Sequence, residues 1–274
     1  MVCFHQQDKA VDSEDRSPTL LCPVRNCRIT LLRGERRWFC AAGHSFDIAR
    51  SGYVNLLQPQ ERRSKRPGDT PRALAGRRRL HELGVTGSLL RAISNFVSAS
   101  SGDIALEAGC GDGYYLGNLA RLTDASGNGI DISVPAIDAA ARRYPCCRWV
   151  VANADRSLPY GDRSFTLVLS INGRMNPSEF RRVLRADGRL LIAVPSPCDL
   201  IELRGRGRDR VGSTVEAVAR HFVLSVHRQV RTSAYLDAGS IRDALNAIYR
   251  PIQSRPPEAM RVTFSLDLLI FKPS

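Results

Sequence analysis

Lysine is nearly missing from this chain: Lys9, Lys65 and Lys272 are the three present in 274 residues, so 37 of the 40 basic side chains are arginine. No apolar run approaches the roughly 20 residues that a membrane helix needs. The stretch from Met1 to Pro18 is polar and carries Asp8, Asp12, Glu14 and Asp15, which is not the pattern of a secretory signal. No membrane partner is expected, and a cytoplasmic location is. Hydrophobic residues at 43% and charged residues at 24% make an ordinary globular composition and exclude a largely disordered chain. With eight cysteines in a chain expected to be cytoplasmic, a disulfide framework is not expected either. No internal repeat is visible.

What is abundant is positive charge. The net charge is +13, and it is unevenly placed. Between Glu61 and Leu80 stand Arg62, Arg63, Lys65, Arg66, Arg72, Arg77, Arg78 and Arg79 against Glu61 and Asp69, a net +6 within twenty residues. Arginine presents a planar fork of donors that suits phosphate oxygens. A GC-rich genome explains arginine over lysine, but not the excess over acid or its clustering. The segment predicts a nucleic-acid partner, with Arg62, Arg63, Lys65, Arg66, Arg77, Arg78 and Arg79 as the RNA-contact candidates.

The chain divides into four stretches: a disordered tail at 1–18, a small β-rich module at 19–57, a basic connector with helices at 58–101, and an α/β domain at 102–274. Pro71 suits the first turn of a helix through Leu83 with Thr70 as its N-cap. A second helix over about 86–98 shows Leu89, Leu90, Ile93, Phe96 and Val97 on one face. Strands are expected at 103–107, 127–132, 148–152, 165–171 and 188–194, with helices at 114–122, 134–143 and 177–184 between them. Short apolar strands alternating with helices predict a Rossmann-like parallel sheet covered on both faces. Two alternating runs, 222–232 and 261–271, read as final antiparallel strands.

Four residues stand apart by spacing: Cys22-x4-Cys27-x12-Cys40-x3-His44. Three thiolates and an imidazole on two turns form a closed tetrahedral set for one Zn2+, with no open position for chemistry. A module of this size has little core of its own, so the metal would stabilise it directly. Cys3, Cys110, Cys146, Cys147 and Cys198 lack such an arrangement.

Glu107-Ala-Gly109-Cys-Gly111-Asp112-Gly113-Tyr114 follows the first expected strand of the α/β domain and precedes a helix. Glycines there let backbone approach a ligand and leave helix N-terminal amides facing the cleft. The register is not GxGxxG, and Glu107 precedes the first glycine by two positions, where it can meet an amino group. Asp131, followed by Ile132, ends the second strand and is placed to bind a ribose diol. Asn153, Ala154 and Asp155 end the third, where a side chain can reach an adenine edge. Acid, glycines, acid and acid at successive strand ends predict a site for S-adenosylmethionine (SAM).

The residues now resemble a known family, the bacterial 23S rRNA (guanine-N1)-methyltransferases of RlmA type, including their tylosin-resistance subgroup. The resemblance runs from Cys22 to Lys272. It rests on the two cysteine knuckles, Gly43-His44-Ser45-Phe46-Asp47, Ser51-Gly52-Tyr53-Val54-Asn55-Leu56-Leu57 and Pro67-Gly68-Asp69. It continues through Arg77-Arg78, the EAGCGDGYY loop, Pro195-Ser196-Pro197 and Leu200-Ile201-Glu202-Leu203. It implies methyl transfer from SAM to N1 of a guanine in a domain II hairpin of 23S rRNA, macrolide resistance of the tylosin type, and a homodimer as one assembly.

Absent motifs agree with ring-nitrogen chemistry. No NPPY-type tetrapeptide follows the fourth strand, as amine methylation would require, and Cys198 lacks the companion motif of pyrimidine carbon-5 methylation. Guanine N1 needs chiefly in-line alignment and loss of its proton. Asp199, Glu202 and Glu179 are candidate bases without a distinguishing signal. Two other readings stay open: a methyltransferase of another RNA or of a small molecule, and a non-catalytic zinc-containing RNA binder.

Overall fold

A computed structural model describes residues 17–25, 27–61, 68–247 and 258–274. The zinc-ligand stretch forms a three-stranded antiparallel sheet of β1 (Leu32–Arg33), β2 (Arg37–Phe39) and β3 (Ser45–Asp47). Its register pairs Leu32 with Phe39 and Trp38 with Phe46. The chain then turns at Gly52, whose φ of 100° suits glycine, and enters β4 (Val54–Asn55). This strand leaves the small sheet and pairs in parallel with β7 (Arg148–Val151) at the edge of the main one. The Leu56 N–H extends the pairing to the Val151 carbonyl at 2.9 Å.

Thr70 caps helix α1 (Pro71–Glu82), its hydroxyl accepting from Ala73 N at 3.2 Å, with Pro71 in the first turn as expected. Helix α2 (Gly87–Val97) buries Leu89, Ile93 and Val97 on one face. Then β5 (Ile104–Ala108), α3 (Tyr114–Thr123), β6 (Ser126–Asp131), α4 (Val134–Arg143) and β7 alternate. They are followed by β8 (Phe165–Ile171), α5 (Pro177–Val183) and β9 (Leu184–Pro195). Short helices α6 (Ile201–Arg204) and α7 (Val211–Val218) lead to β10 (Phe222–Leu236), α8 (Ala238–Ala247) and β11 (Met260–Pro273).

The eight-stranded sheet has the order β10-β11-β9-β8-β5-β6-β7-β4. From β9 to β4 every pairing is parallel, while β11 runs antiparallel to both of its neighbours. Central strands are buried on both faces, β8 showing one half-buried residue in seven, which is why they read as apolar runs. The order reverses between β5 and β8, so the carboxyl ends of those strands open a crevice at the switch point.

The ribbon is continuous with this core. Leu20, Leu31 and Trp38 lie in one buried cluster with Leu106, Ile130, Val150 and Phe165. Leu21 N–H also donates to Pro159 O at 2.9 Å. The stretch read from sequence as a module at 19–57 thus shares its apolar contacts and one strand with the larger domain.

Candidate functional site

The four expected metal ligands converge. One donor atom from each of Cys22, Cys27, Cys40 and His44 lies within 4.8 Å of all the others. Cys27 Sγ to Cys40 Sγ is 3.8 Å, and His44 Nδ1 is 3.4 Å from both Cys22 Sγ and Cys40 Sγ. With Zn–S near 2.3 Å, a tetrahedral site has S–S edges of about 3.8 Å and slightly shorter S–N edges. The backbone shapes both knuckles: Cys27 N–H bonds to Val24 O, and Gly43 N–H to Cys40 O, at 2.9 and 3.0 Å. Burial pushes the Cys22 thiol up to about 12, so a bound cation is what would hold it as thiolate. Four protein donors fit Zn2+ in a structural site.

At the switch point, Gly109, Gly111 and Gly113 all take positive φ, between 56° and 77°. A Cβ on Gly113 would stand 2.4 Å from the Trp149 ring, so neither the space nor the conformation admits a side chain. The Glu107 carboxylate is 1% exposed, with Leu116 N–H as its hydrogen-bond donor at 3.1 Å. Burial, with Asp112 and Asp131 nearby, pushes its carboxyl up to about 8. A buried acid with no cationic partner among the described residues has the charge and setting that the ammonium of SAM would complement. Asp131 ends β6, its oxygens accepting from Gly111 N at 2.9 Å and Ser133 N at 2.8 Å. These bonds hold both oxygens in place at the rim, where a ribose diol would donate. Burial raises the Asp131 and Asp112 carboxyls too.

At the end of β7, Asn153 accepts from Asp155 N at 3.0 Å and donates to Glu61 O at 3.2 Å. Asp155 is 3.6 Å from Arg174, and Ala154 O accepts from Asn176 Nδ2 at 3.1 Å. Ile132 is half-buried beside Asp131. Tyr114 is stacked on His81, ring centroids 3.7 Å apart and planes nearly parallel. His81 is itself pinned by Thr86 Oγ1 at 2.6 Å, and burial lowers its pKa to about 3. Tyr114 therefore buttresses the start of α3 through a neutral imidazole.

The basic candidates divide. Arg62, Arg63, Lys65 and Arg66 lie outside the described residues. Arg77 pairs with Asp69 at 2.7 Å and lies close enough to Asp112 and Asp131 for both to raise its pKa. Its Nη1 stands 3.4 Å from where a Gly111 Cβ would be, so Arg77 borders the cofactor loop. Arg78 pairs with Glu82 at 2.8 Å, and Arg79 with Asp243 on α8. All three already have an acid partner.

Sequence reasoning missed the walls of the crevice. A Cβ on Gly68 would meet that of Ser133 at 2.6 Å, so the Gly68-Asp69 turn lies directly on the start of α4. Across the cleft, a Cβ on Gly173 would stand 2.7 Å from Ala108 O, which brings the loop after β8 onto the cofactor loop. The signals available were the Pro67-Gly68-Asp69 motif for one wall and, for the other, Gly173 just past the end of β8. The candidate bases are committed elsewhere. Glu179 binds Arg182 and Leu158 N, each at 2.7 Å, and Glu202 takes Thr263 N and Oγ1. Asp199 accepts from Ser265 N and pairs with Arg204, both at 2.9 Å.

A glycine cradle with acids at three parallel strand ends, on this sheet order and joined to a four-ligand ribbon, defines a SAM-dependent methyltransferase with a structural zinc site. Comparison with known families agrees: the zinc-ribbon model described as RlmA, N-terminal, matches residues 20–65, and one described as a methyltransferase domain matches 105–191. A 23S rRNA (guanine(748)-N(1))-methyltransferase of Streptomyces fradiae is 34% identical over 240 residues, covering 84% of this chain and 82% of its own. A Micromonospora griseorubida protein, provisionally named as a 23S rRNA (guanine-N1)-methyltransferase, is 34% identical over 76% of this chain and 78% of its own. Among solved structures, a TehB-like SAM-dependent methyltransferase from Corynebacterium glutamicum aligns with TM-score 0.46 and 20% identity over 74% of this chain and 98% of its own. The chain belongs to the 23S rRNA (guanine-N1)-methyltransferase family.

Proposed function

We propose that the protein methylates N1 of one guanine in a domain II hairpin of 23S rRNA, in the cytoplasm, and thereby confers tylosin-type macrolide resistance. The observation that carries this reading is one relative, named for guanine 748, matching across ribbon and methyltransferase domain together at 34% identity. No described helix is long and apolar enough to cross a membrane.

SAM, when bound, supplies an electrophilic methyl on a sulfonium. Glu107 would hold its amino group, Asp131 its ribose and Asn153 to Asp155 its adenine edge, beside the crevice between β5 and β8. A paired guanine must leave its stack to enter. The loops after β8 and β9 would form the far wall and align N1, a proximity effect, with the N1 proton passing to water as the methyl arrives. The ribbon and basic connector grip the hairpin by phosphate and shape. The homodimer is part of the same proposal, and sedimentation of the purified chain reads it directly.

The test is methylation of 23S rRNA from an untreated host by purified protein and SAM, mapped by reverse transcription. A methyl on N1 blocks Watson–Crick pairing, so a single new stop in a domain II hairpin is the expected result. Incorporation of methyl without such a stop would overturn the assignment to N1.

A further inference from the structure

A second concentration of arginine lies far from the connector in sequence. Between α6 and α7 run Gly205-Arg206-Gly207-Arg208-Asp209-Arg210, every residue exposed. The local acids are used internally: Asp209 Oδ1 accepts from Val211 N at 2.8 Å, Asp199 holds Arg204, and Glu202 holds Thr263. Arg206, Arg208 and Arg210 have no ion-pair partner among the described residues. This contrasts with Arg77, Arg78 and Arg79, each of which has one.

The segment is anchored at the substrate side of the sheet. Gly207 N–H donates to Pro197 O at 2.8 Å, and Pro197 lies just past the end of β9. A Cβ on Gly207 would sit 3.7 to 3.9 Å from Pro197 and Ser196, so the arginine-bearing backbone lies against that loop. β9 is two strands from β5, about 10 Å at the usual strand spacing. The intervening β8 ends in the loop that carries exposed Arg174. In open α/β sheets the substrate enters outside these carboxyl ends.

We propose that Arg206, Arg208 and Arg210 form a phosphate grip that holds the RNA backbone beside the guanine being methylated. The inference rests on the RNA reading above and adds the surface on the acceptor side. Unpaired guanidinium forks at every second position suit phosphate oxygens of a strand distorted by an extruded base. Such contacts position the strand without reading its sequence. Asp209, whose carboxylate accepts from Val211 N, stays outside the grip.

The experiment uses the full chain and a domain II hairpin of 23S rRNA. Wild type, R206A/R208A/R210A and R206K/R208K/R210K are titrated by fluorescence anisotropy from low to high salt. Three lost phosphate contacts should make the slope of log K against log salt shallower by about two to three units, and weaken binding roughly a hundredfold at 0.15 M. The lysine variant should keep most of the slope, and SAM affinity should not move. A slope equal to wild type in the alanine variant would return the segment to ordinary solvated surface and overturn the proposal. Failure of the broader reading has a different signature. Wild type that binds the hairpin with an arginine-dependent slope, yet leaves guanine N1 unmethylated, would overturn the function and keep the grip.

Discussion

Replacing Glu107 by Gln should stabilise the SAM-free protein, and more so as pH rises. The carboxyl has its folded-state pKa raised from 4.5 to about 8, by burial first and then by Asp112 and Asp131. An acid raised on folding contributes fully below its unfolded pKa, and that contribution is lost as pH climbs through the folded value. The window therefore runs from about 4.5 to 8. At 1.36 kcal/mol per unit, the penalty relative to a neutral side chain is about 2 kcal/mol at pH 6 and about 4 to 5 at pH 8.5. The stability difference between Glu107→Gln and wild type should widen by about 2 to 3 kcal/mol over that range. Glutamine keeps an acceptor for Leu116 N–H, so the local fold is preserved. Urea unfolding of SAM-free protein at pH 6, 7, 7.5 and 8.5 measures it, because groups common to both proteins cancel in the difference. In the same variant SAM affinity should fall by about 10- to 100-fold, since a charge-assisted bond to the ammonium is gone. A stability difference independent of pH would refute the argument that Glu107 is an unpaired buried acid awaiting a cation.

Freshly purified protein should hold one zinc per chain by elemental analysis. Cys40→Ser should lower the melting temperature of the whole protein and abolish hairpin binding, because Leu20, Leu31 and Trp38 share a core with Leu106 and Val150. A variant with the ribbon lost and an unchanged methyltransferase transition would contradict that shared core. Asp131→Ala removes the acceptor for Gly111 N and Ser133 N as well as the ribose contact, so calorimetric titration should show SAM bound about 10- to 100-fold more weakly. Unchanged affinity would reject the ribose assignment. In the connector, Arg62→Ala/Arg63→Ala/Lys65→Ala should make the salt slope of hairpin binding shallower by about two to three units while SAM affinity stays constant. The same slope in wild type and variant would make those residues ordinary surface.

Local chemistry was legible in the order of residues. The spacing of Cys22, Cys27, Cys40 and His44 named both the metal and its four donors, because a knuckle brings its ligands together within one turn. Strand and helix periods located β5 to β8 and α1 to α5 to within a residue or two, Thr70 and Pro71 marking the start of α1. The acids and glycines that converge at the crevice were visible for the same reason: each stands at the end of an apolar run. Helices α6, α7 and α8 were missed, α6 being four residues long and α7 eight. β9 begins at Leu184, directly after α5, where the pattern suggested a start at 188.

Partnership across the fold was decided by tertiary structure alone. The Val54-Asn55 pair became an edge strand because β7 left a parallel edge open beside it. Arg77, Arg78 and Arg79 read alike as a basic run. Asp69 and Glu82 sit eight and four residues from two of them, but the acid that meets Arg79 is Asp243, brought in by the packing of α8 on α1. Arg206, Arg208 and Arg210, which no motif marked, kept their charge free beside the substrate face. Residue order sets which groups lie within a turn or a pleat of one another, and so it carries capping, ligand spacing and period. Whether a charge is neutralised depends on the nearest acid in space, and that distance exists only once the sheet and its covering helices have closed.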